Sequence, residues 1–432
     1  MFRRRLKFRR TTIITIGLMA FLGGLGFART NIVLPPELLL GAAICFLVTA
    51  VRLRLPAAIS ILLFGFVLGW WRGQVVLAQL QPVKQLSGKH IVATVQAESD
   101  AVYDDRKELS FDASHLHVQD PIDTRLPGQL LIAGFGEPAV YKGDIVQIEG
   151  KVYASRGSRQ LRMSFAEMKV LGRSDSPVDG ARRTYTAGME SALPEPLASF
   201  GLGLLIGQRS TLPDTITKQL STVGLTHIIA VSGYNLTIIM GGVRRVLRKR
   251  SKYQTTAISI ALIGLFLLTT GFSASIVRAA IVSILSLLAW YYGRTFRPVL
   301  LIALAAVITA GYNPLYIWSD IGWYLSFMAF FGVLVVAPLI NRRLFGEREP
   351  NALTGLLIES LCALLMTVPF VLYIFHQVSS IALVANLLLV PLVPLGMLLA
   401  LIAGIGGTLV PVIGGIIAWP ARVLLTYMLD MV

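Results

Sequence analysis

The chain has 432 residues, of which 55% are hydrophobic and only 14% charged, with a mean hydropathy of +0.69. Ordinary globular chains carry about 25% charged residues, so this composition excludes a purely soluble protein and points to a polytopic α-helical membrane protein. The length allows roughly nine or ten spanning helices of about 20 residues and one small soluble domain. The net charge of +16 does not by itself indicate a nucleic-acid partner, because the excess sits beside the apolar runs. Residues Lys84 to Arg183 hold 14 basic and 14 acidic side chains and are neutral. The surplus lies around Arg3–Arg10, Arg52/Arg54, Arg244–Lys252, Arg294/Arg297 and Arg342–Arg348, where the positive-inside rule accounts for most of it as cytoplasmic anchoring.

In chain order, Thr12–Ala28 is apolar behind a basic front but lacks a small-x-small cleavage site, which favours a membrane anchor over a cleaved signal peptide. Leu38–Val51 and Pro56–Trp71 are the second and third expected spans, so residues 1–80 form an N-terminal anchor. From 81 to 175 the pattern changes to period-two alternation. Strands are predicted at His90–Ala97, Leu109–Val118, Gln129–Phe135, Asp144–Val152 and Gln160–Val170, with turn residues at Leu126-Pro-Gly128 and Tyr141-Lys-Gly-Asp144. Five short strands suit an OB-like barrel, and a small sandwich fits the periodicity nearly as well. Residues 176–226 read as a linker. Within it Leu197–Gly207 is a packed or re-entrant helix, too short to cross, and Leu212–Val223 lies along the interface. Residues 227–432 form a bundle of about eight spans: Ile228–Val243, Thr256–Thr270, Ile276–Tyr292, Val299–Ala310, Ile321–Ile340, Leu353–Ile374, Ile381–Leu409 and Val412–Leu429. With a cytoplasmic N-terminus, alternate crossings put the β domain and the C-terminus outside and the basic loops 244–252, 294–297 and 341–350 inside.

Polar side chains within apolar runs are the candidates for function, because lipid offers them no hydrogen-bond partner. His227, Ser232 and Asn235 straddle Gly233 in one span. They line a pathway or form an interhelical hydrogen-bonding cluster. Ser275 and Arg278 share a helix face. Arg278 either snorkels to the outer interface or lines a wet cavity suited to a phosphate backbone, with Asp320 at the same level as its counter-ion. Glu359 is a second membrane-embedded acid. In the β domain, Arg156, Arg159 and Arg162 head a basic stretch that also includes Lys169 and Arg173. It is a solvated face or a contact for a nucleic-acid strand, with Tyr153 and Phe165 as the few aromatics nearby. His115 and His117 share a face without a third metal ligand, and Cys45 and Cys362 read as buried small hydrophobes. There is no Walker loop, His-Glu-x-x-His, Cys-x-x-Cys or serine elbow. No enzymatic activity, metal or cofactor is expected.

Four ordered segments carry a family likeness: Gly224-Leu-Thr-His227-Ile-Ile-Ala-Val-Ser232-Gly233, Ser275-x-x-Arg278-Ala, Trp323-Tyr-Leu-Ser326-Phe and Asn386-Leu-Leu-Leu-Val-Pro391. Together with the order of basic N-terminus, short spans, small β domain and polytopic core, they resemble the ComEC family of competence proteins. The resemblance implies a bacterial inner-membrane channel importing single-stranded DNA during transformation. Its pathway residues would be His227, Ser232, Gly233, Asn235, Ser275, Arg278, Asp320, Ser326 and Asn386. Membrane lipids, a DNA-receptor protein and a cytoplasmic motor ATPase are the implied partners. Family members commonly carry histidine at the position of Asn235, and many continue into a metallo-β-lactamase-like nuclease domain. This sequence stops at Val432, so a nuclease is expected to be supplied separately where one is needed. The residues also fit a transporter or flippase for an anionic or lipid-linked substrate, which would use the same intramembrane arginine and acid. A closed interaction scaffold is a third reading.

Overall fold

The protein is described by a computed structural model over residues 10–432, apart from positions 31, 51–54, 104–107, 121–122, 135–139, 156–158, 174–175, 209–211, 230–235, 237–242, 244–246, 271–273, 294–296, 347, 349, 377–378 and 380. Three helices open the chain: α1 (Arg10–Phe27), α2 (Pro36–Ala50) and α3 (Leu55–Lys84). Gly65, Gly69 and Gly73 recur every fourth residue and line one face of α3. A Cβ on Gly69 would lie 2.0 Å from the Phe21 carbonyl oxygen, and one on Gly24 would lie 1.9 Å from that of Phe66. The two backbones therefore touch, which is how helices associate where lipid removes the hydrophobic drive. The third span was expected to end at Trp71. Instead α3 continues to Lys84, because Gln74–Leu80 contains no helix breaker and Pro82 falls in the closing turns. Val83 at its end is fully buried in the β-domain core, so one continuous helix joins membrane and β domain.

The β domain consists of β1 (His90–Ala97), β2 (Val102–Tyr103), β3 (Leu109–Asp120), β4 (Thr124–Leu126), β5 (Leu130–Gly134), β6 (Ile145–Ala154) and β7 (Leu161–Gly172). The five expected strands are all present, with ends shifted by at most two residues, and β2 and β4 are short additions to the edge of β3. Pairing runs β1–β6–β7–β5–β3 and returns from β3 to β1, so the sheet closes on itself. The β5–β7 pair is parallel and the others are antiparallel. Alternate residues such as Ile91, Ala93 and Val95 on β1 and Val146 and Ile148 on β6 fill the interior, as period-two patterning requires. At His115 the backbone turns to φ +53, and the register slips between Thr94/Gln96 and their partners on β3. This bulge shifts the phase of alternation, so Ser114, Leu116 and Val118 are buried while His115 faces solvent.

The remaining helices are α4 (Pro177–Ala192), α5 (Leu197–Ile206), α6 (Asp214–Val223), α7 (Thr226–Ile229), α8 (Lys252–Thr270), α9 (Ala274–Tyr291), α10 (Pro298–Tyr312), α11 (Leu315–Ser319), α12 (Ile321–Phe331), α13 (Ala337–Phe345), α14 (Ala352–Phe375), α15 (Ala382–Leu389), α16 (Val393–Leu409), α17 (Pro411–Ile417) and α18 (Trp419–Asp430). By length and composition four stretches among the described residues can cross a membrane: Ala58–Lys84, Ile321–Phe345, Leu357–Phe375 and Ala382–Leu409. The second passes through a π-helical turn at Gly332–Val336, where a Cβ on Gly332 would meet the Cys362 carbonyl at 2.6 Å. Pro391 interrupts the last one only by a 3-10 turn at Val390–Leu392. Six further apolar helices are 10–17 residues long. The span expected at Val412–Leu429 is not one straight helix: α17 and α18 meet at 52°. Pro420 lacks the N–H that would continue the ladder.

Helix α5 is the most enclosed element, with nine of its ten residues buried. At about 1.5 Å per residue it reaches about 15 Å, half of a bilayer core. A helix whose only polar side chain is Ser199 is stable at that length only when packed on every side, and α4, α16 and α18 pack against it. Helices α4 and α16 approach as closely as α1 and α3: a Cβ on Gly407 would lie 1.9 Å from the Gly188 carbonyl oxygen, and Tyr185 donates its hydroxyl to the Ala400 carbonyl at 2.9 Å. The N-terminal helices dock on the main bundle through helix-end contacts. Arg72 donates to the carbonyls of Gly311 (2.9 Å) and Tyr312 (3.0 Å), Arg29 donates to that of Trp318 (3.1 Å), and the Trp318 indole donates to Leu25 (2.8 Å).

Candidate functional site

The four sequence motifs meet in two pairs. The first motif opens where α6 ends. Gly224 adopts φ +80, a left-handed C-cap that β-carbon-bearing residues avoid, and the Leu225 N–H bonds back to the Leu220 carbonyl at 2.7 Å. A Cβ on Gly224 would lie 2.9 Å from that of Ala382 at the start of α15, the helix carrying Asn386 of the fourth motif. Leu225, Ile228 and Ile229 share a core cluster with Ala385 and Leu389. On this frame the one-turn helix α7 presents His227, whose side chain is solvent-exposed with its ring against the Gly224 carbonyl. Asn386 is half-buried, and its Oδ1 has no hydrogen-bond partner; neither has the Ser379 hydroxyl seven residues earlier. Ser232, Gly233 and Asn235 lie outside the described residues.

The second and third motifs meet around Arg278. Its side chain is 1% exposed, so it does not snorkel to the interface. One terminal nitrogen donates to the Gly322 carbonyl at 3.0 Å, the guanidinium carbon lies 5.5 Å from the centre of the Phe327 ring, and Nε and Nη1 have no hydrogen-bond partner. Asp320, the expected counter-ion, interacts with Arg278 electrostatically but forms no ion pair with it. Its carboxylate instead caps α12, accepting the Trp323 N–H at 3.0 Å. A charge buried with incomplete partners costs several kcal/mol, which makes this position expensive to keep. Ser275 sits on the first turn of α9, one turn before Arg278, and Ser326 is half-buried on α12.

Residues that sequence reasoning missed complete this node. Thr309 on α10 accepts the Trp323 indole N–H at 3.0 Å and donates to the Ala305 carbonyl at 2.9 Å. Its one polar group in an otherwise apolar helix was the available signal. Gly322 offered none, and Phe327 stood in the third motif without a role assigned to it. The two pairs are linked by Leu236, twelve residues after Gly224, which is buried with Ile263 and with Ala279 and Ala280 beside Arg278.

In the β domain, Arg159 is engaged by Asp112 (2.8 Å), so its charge is spent internally. Arg156 lies outside the described residues. Arg162 is exposed, donates to the Ser164 hydroxyl at 2.9 Å and stands opposite Tyr153 in the β6–β7 register. Tyr153 is 48% exposed with the Lys151 ammonium 5.7 Å from its ring, and Phe165, at φ +57, is 75% exposed. The strands thus show solvent a mixed basic and aromatic face. Asp100, nearly buried, accepts from Arg182 on α4 at 2.7 Å and from the Lys142 N–H at 2.9 Å, fixing the domain to the helices. His117 pairs with Asp123 at 2.6 Å, and the described residues contain no group of three or more metal-ligating side chains.

Comparison with known proteins bears on the region that holds all four motifs. The family model described as "Competence protein" matches residues 204–432. ComE operon protein 3 of Bacillus subtilis (strain 168) is 25% identical over 226 residues, 52% of this chain and 28% of that protein. The chain therefore spans well under two thirds of the curated relative it matches. No solved structure matches. With its apolar spans, this multi-pass membrane chain belongs to the Competence protein family.

Proposed function

We propose that the chain is an inner-membrane channel through which single-stranded DNA enters a bacterial cytoplasm during transformation. The observation that carries the reading is the match of residues 204–432 to the competence family, a segment whose first motif exposes His227 to solvent. The closed five-strand ring supports reading the β domain as an OB-like barrel, which would sit outside the membrane at the channel mouth. There Arg162 and Lys151 offer charge to phosphates, while Tyr153 and Phe165 offer faces for bases to stack on. Guidance is passive and the chain does no chemistry. Hauling force and delivery of DNA fall to a motor ATPase and a DNA receptor.

Transformation with labelled DNA tests the reading. A strain lacking the gene should bind DNA at its surface but carry no label into the cytoplasm; wild-type internalisation in that strain contradicts it. Cysteine labelling from outside tests the orientation: Ser158→Cys should react and Ser251→Cys should be spared.

A further inference from the structure

We infer that Arg278 is a gated phosphodiester site, sealed in the structure described and made to take one backbone phosphate at a time from the passing strand. The inference rests on the channel reading and names what the channel holds. A guanidinium has five N–H donors arranged along two bidentate edges. The Gly322 carbonyl takes one N–H of Nη2, while Nε and Nη1 have no partner. Whichever edge that carbonyl occupies, the other edge keeps both of its donors, one from Nη2 and one from Nε or Nη1. A two-oxygen anion fits such an edge, and a carbonyl does not. The remaining surroundings are the Phe327 face, the Tyr316 hydroxyl group at longer range and the Asp320 carboxylate. Arg278 lies on the second turn of α9, and its guanidinium bonds Gly322 in the first turn of α12, whose start Asp320 caps. Asp320 supplies opposing charge. It balances the guanidinium when no phosphate is present and repels a phosphate that has arrived, so binding stays weak enough to release. At 1% exposure the free edge meets a phosphate only when the side chains packed over it move aside.

Phosphodiesters also occur in lipid headgroups, and the same chemistry would serve either source. The test uses the full chain in neutral phosphatidylcholine nanodiscs with fluorescent octathymidylate, read by anisotropy at fixed salt. Arg278→Gln should weaken retention about tenfold, the scale of a charge-assisted bidentate contact. Asp320→Asn keeps a capping side chain and removes the charge, so it should tighten retention severalfold. A merely structural role for Arg278 would not produce that opposite sign. Arg278→Lys, which keeps charge without the fork, controls for folding and should fall between wild type and Arg278→Gln. Equal retention in all four proteins overturns the site while leaving the channel reading in place. Displacement by phosphatidylglycerol in the nanodisc, with no sensitivity of octathymidylate to positions 278 and 320, overturns the strand as the source and assigns the edge to lipid phosphate. Normal DNA internalisation in the deletion strain overturns the channel reading itself.

Discussion

The β domain pairs the charges that fasten it to the helices, whereas the membrane bundle leaves its buried arginine incompletely paired. In the β domain, Asp100 is nearly enclosed and doubly satisfied, by Arg182 and by the Lys142 N–H, and Arg159 is held by Asp112. In the bundle, Arg278 is more deeply buried than any of these and leaves two nitrogens without partners. A buried donor without a partner costs most where no polar group can replace its hydration, and Arg278 keeps two such nitrogens at 1% exposure. Charge in the β domain serves attachment; the incompletely paired charge in the bundle is better explained by a visiting anion than by stability. Backbone contact differs in the same sense. Strands in the β domain are spaced by their ladders and filled by alternating side chains, whereas α1/α3 and α4/α16 meet through glycines with no room for a methyl group.

The largest effect expected from breaking this contrast is on uptake. Arg278→Ala should lower transformation by at least about a hundredfold, the product of a lost bidentate contact and its repeated use along a strand, while membrane-fraction immunoblots show normal insertion. Wild-type frequency would remove Arg278 from the path. Next in size, Gly407→Val forces a branched side chain into the Gly188 carbonyl. It should destabilise the bundle by about 3 kcal/mol, at the upper end for overpacking, seen as a lower thermal midpoint with β-domain amide protection retained. Asp100→Asn should cost about 2 kcal/mol, less than a fully buried pair because both partners keep some contact with water. Hydrogen exchange should then rise around Lys142 and Arg182 but not around Arg278.

The smallest effect concerns pH. Burial, and then the neighbouring Arg182, hold the Lys142 ammonium below its ordinary value of 10.5. The folded state therefore binds the proton less well than the unfolded state, so charged Lys142 opposes folding. Stability rises as pH climbs through the folded value and levels off beyond 10.5. Lys142→Met should accordingly be more stable than wild type at neutral pH, with the gap closing as pH approaches 10.5 in thermal melts of the full chain. A gap that widens with pH would reverse the assignment.

How much was legible depended on whether local pattern or tertiary packing decided the outcome. Strands β1, β3, β5, β6 and β7 were readable because a half-buried strand writes its faces into alternate residues. The ring that joins them depends on β3 pairing back to β1, which no local pattern encodes. Gly65, Gly69 and Gly73 carried a readable contact signal, but runs of apolar residues around them drew attention to the span and not to its face. Arg278 stood out as a cation in an apolar run. Whether it pointed to the interface or inward was settled by Gly322 and Phe327, which lie more than forty residues away. Asp320 acts on the charge of Arg278 from nearby, yet its carboxylate is taken by the start of α12. The bend at Pro420 falls in a mostly apolar run, where the proline itself was the available signal.

The claim that a DNA strand passes beside α7 can be tested by crosslinking during uptake. A photoreactive residue at Thr226, exposed next to His227, and another at Leu365, exposed on α14, should be illuminated in cells taking up labelled DNA. The account predicts a DNA adduct at position 226 and none at 365. Continued uptake with no adduct at 226, or with equal adducts at both positions, would contradict it.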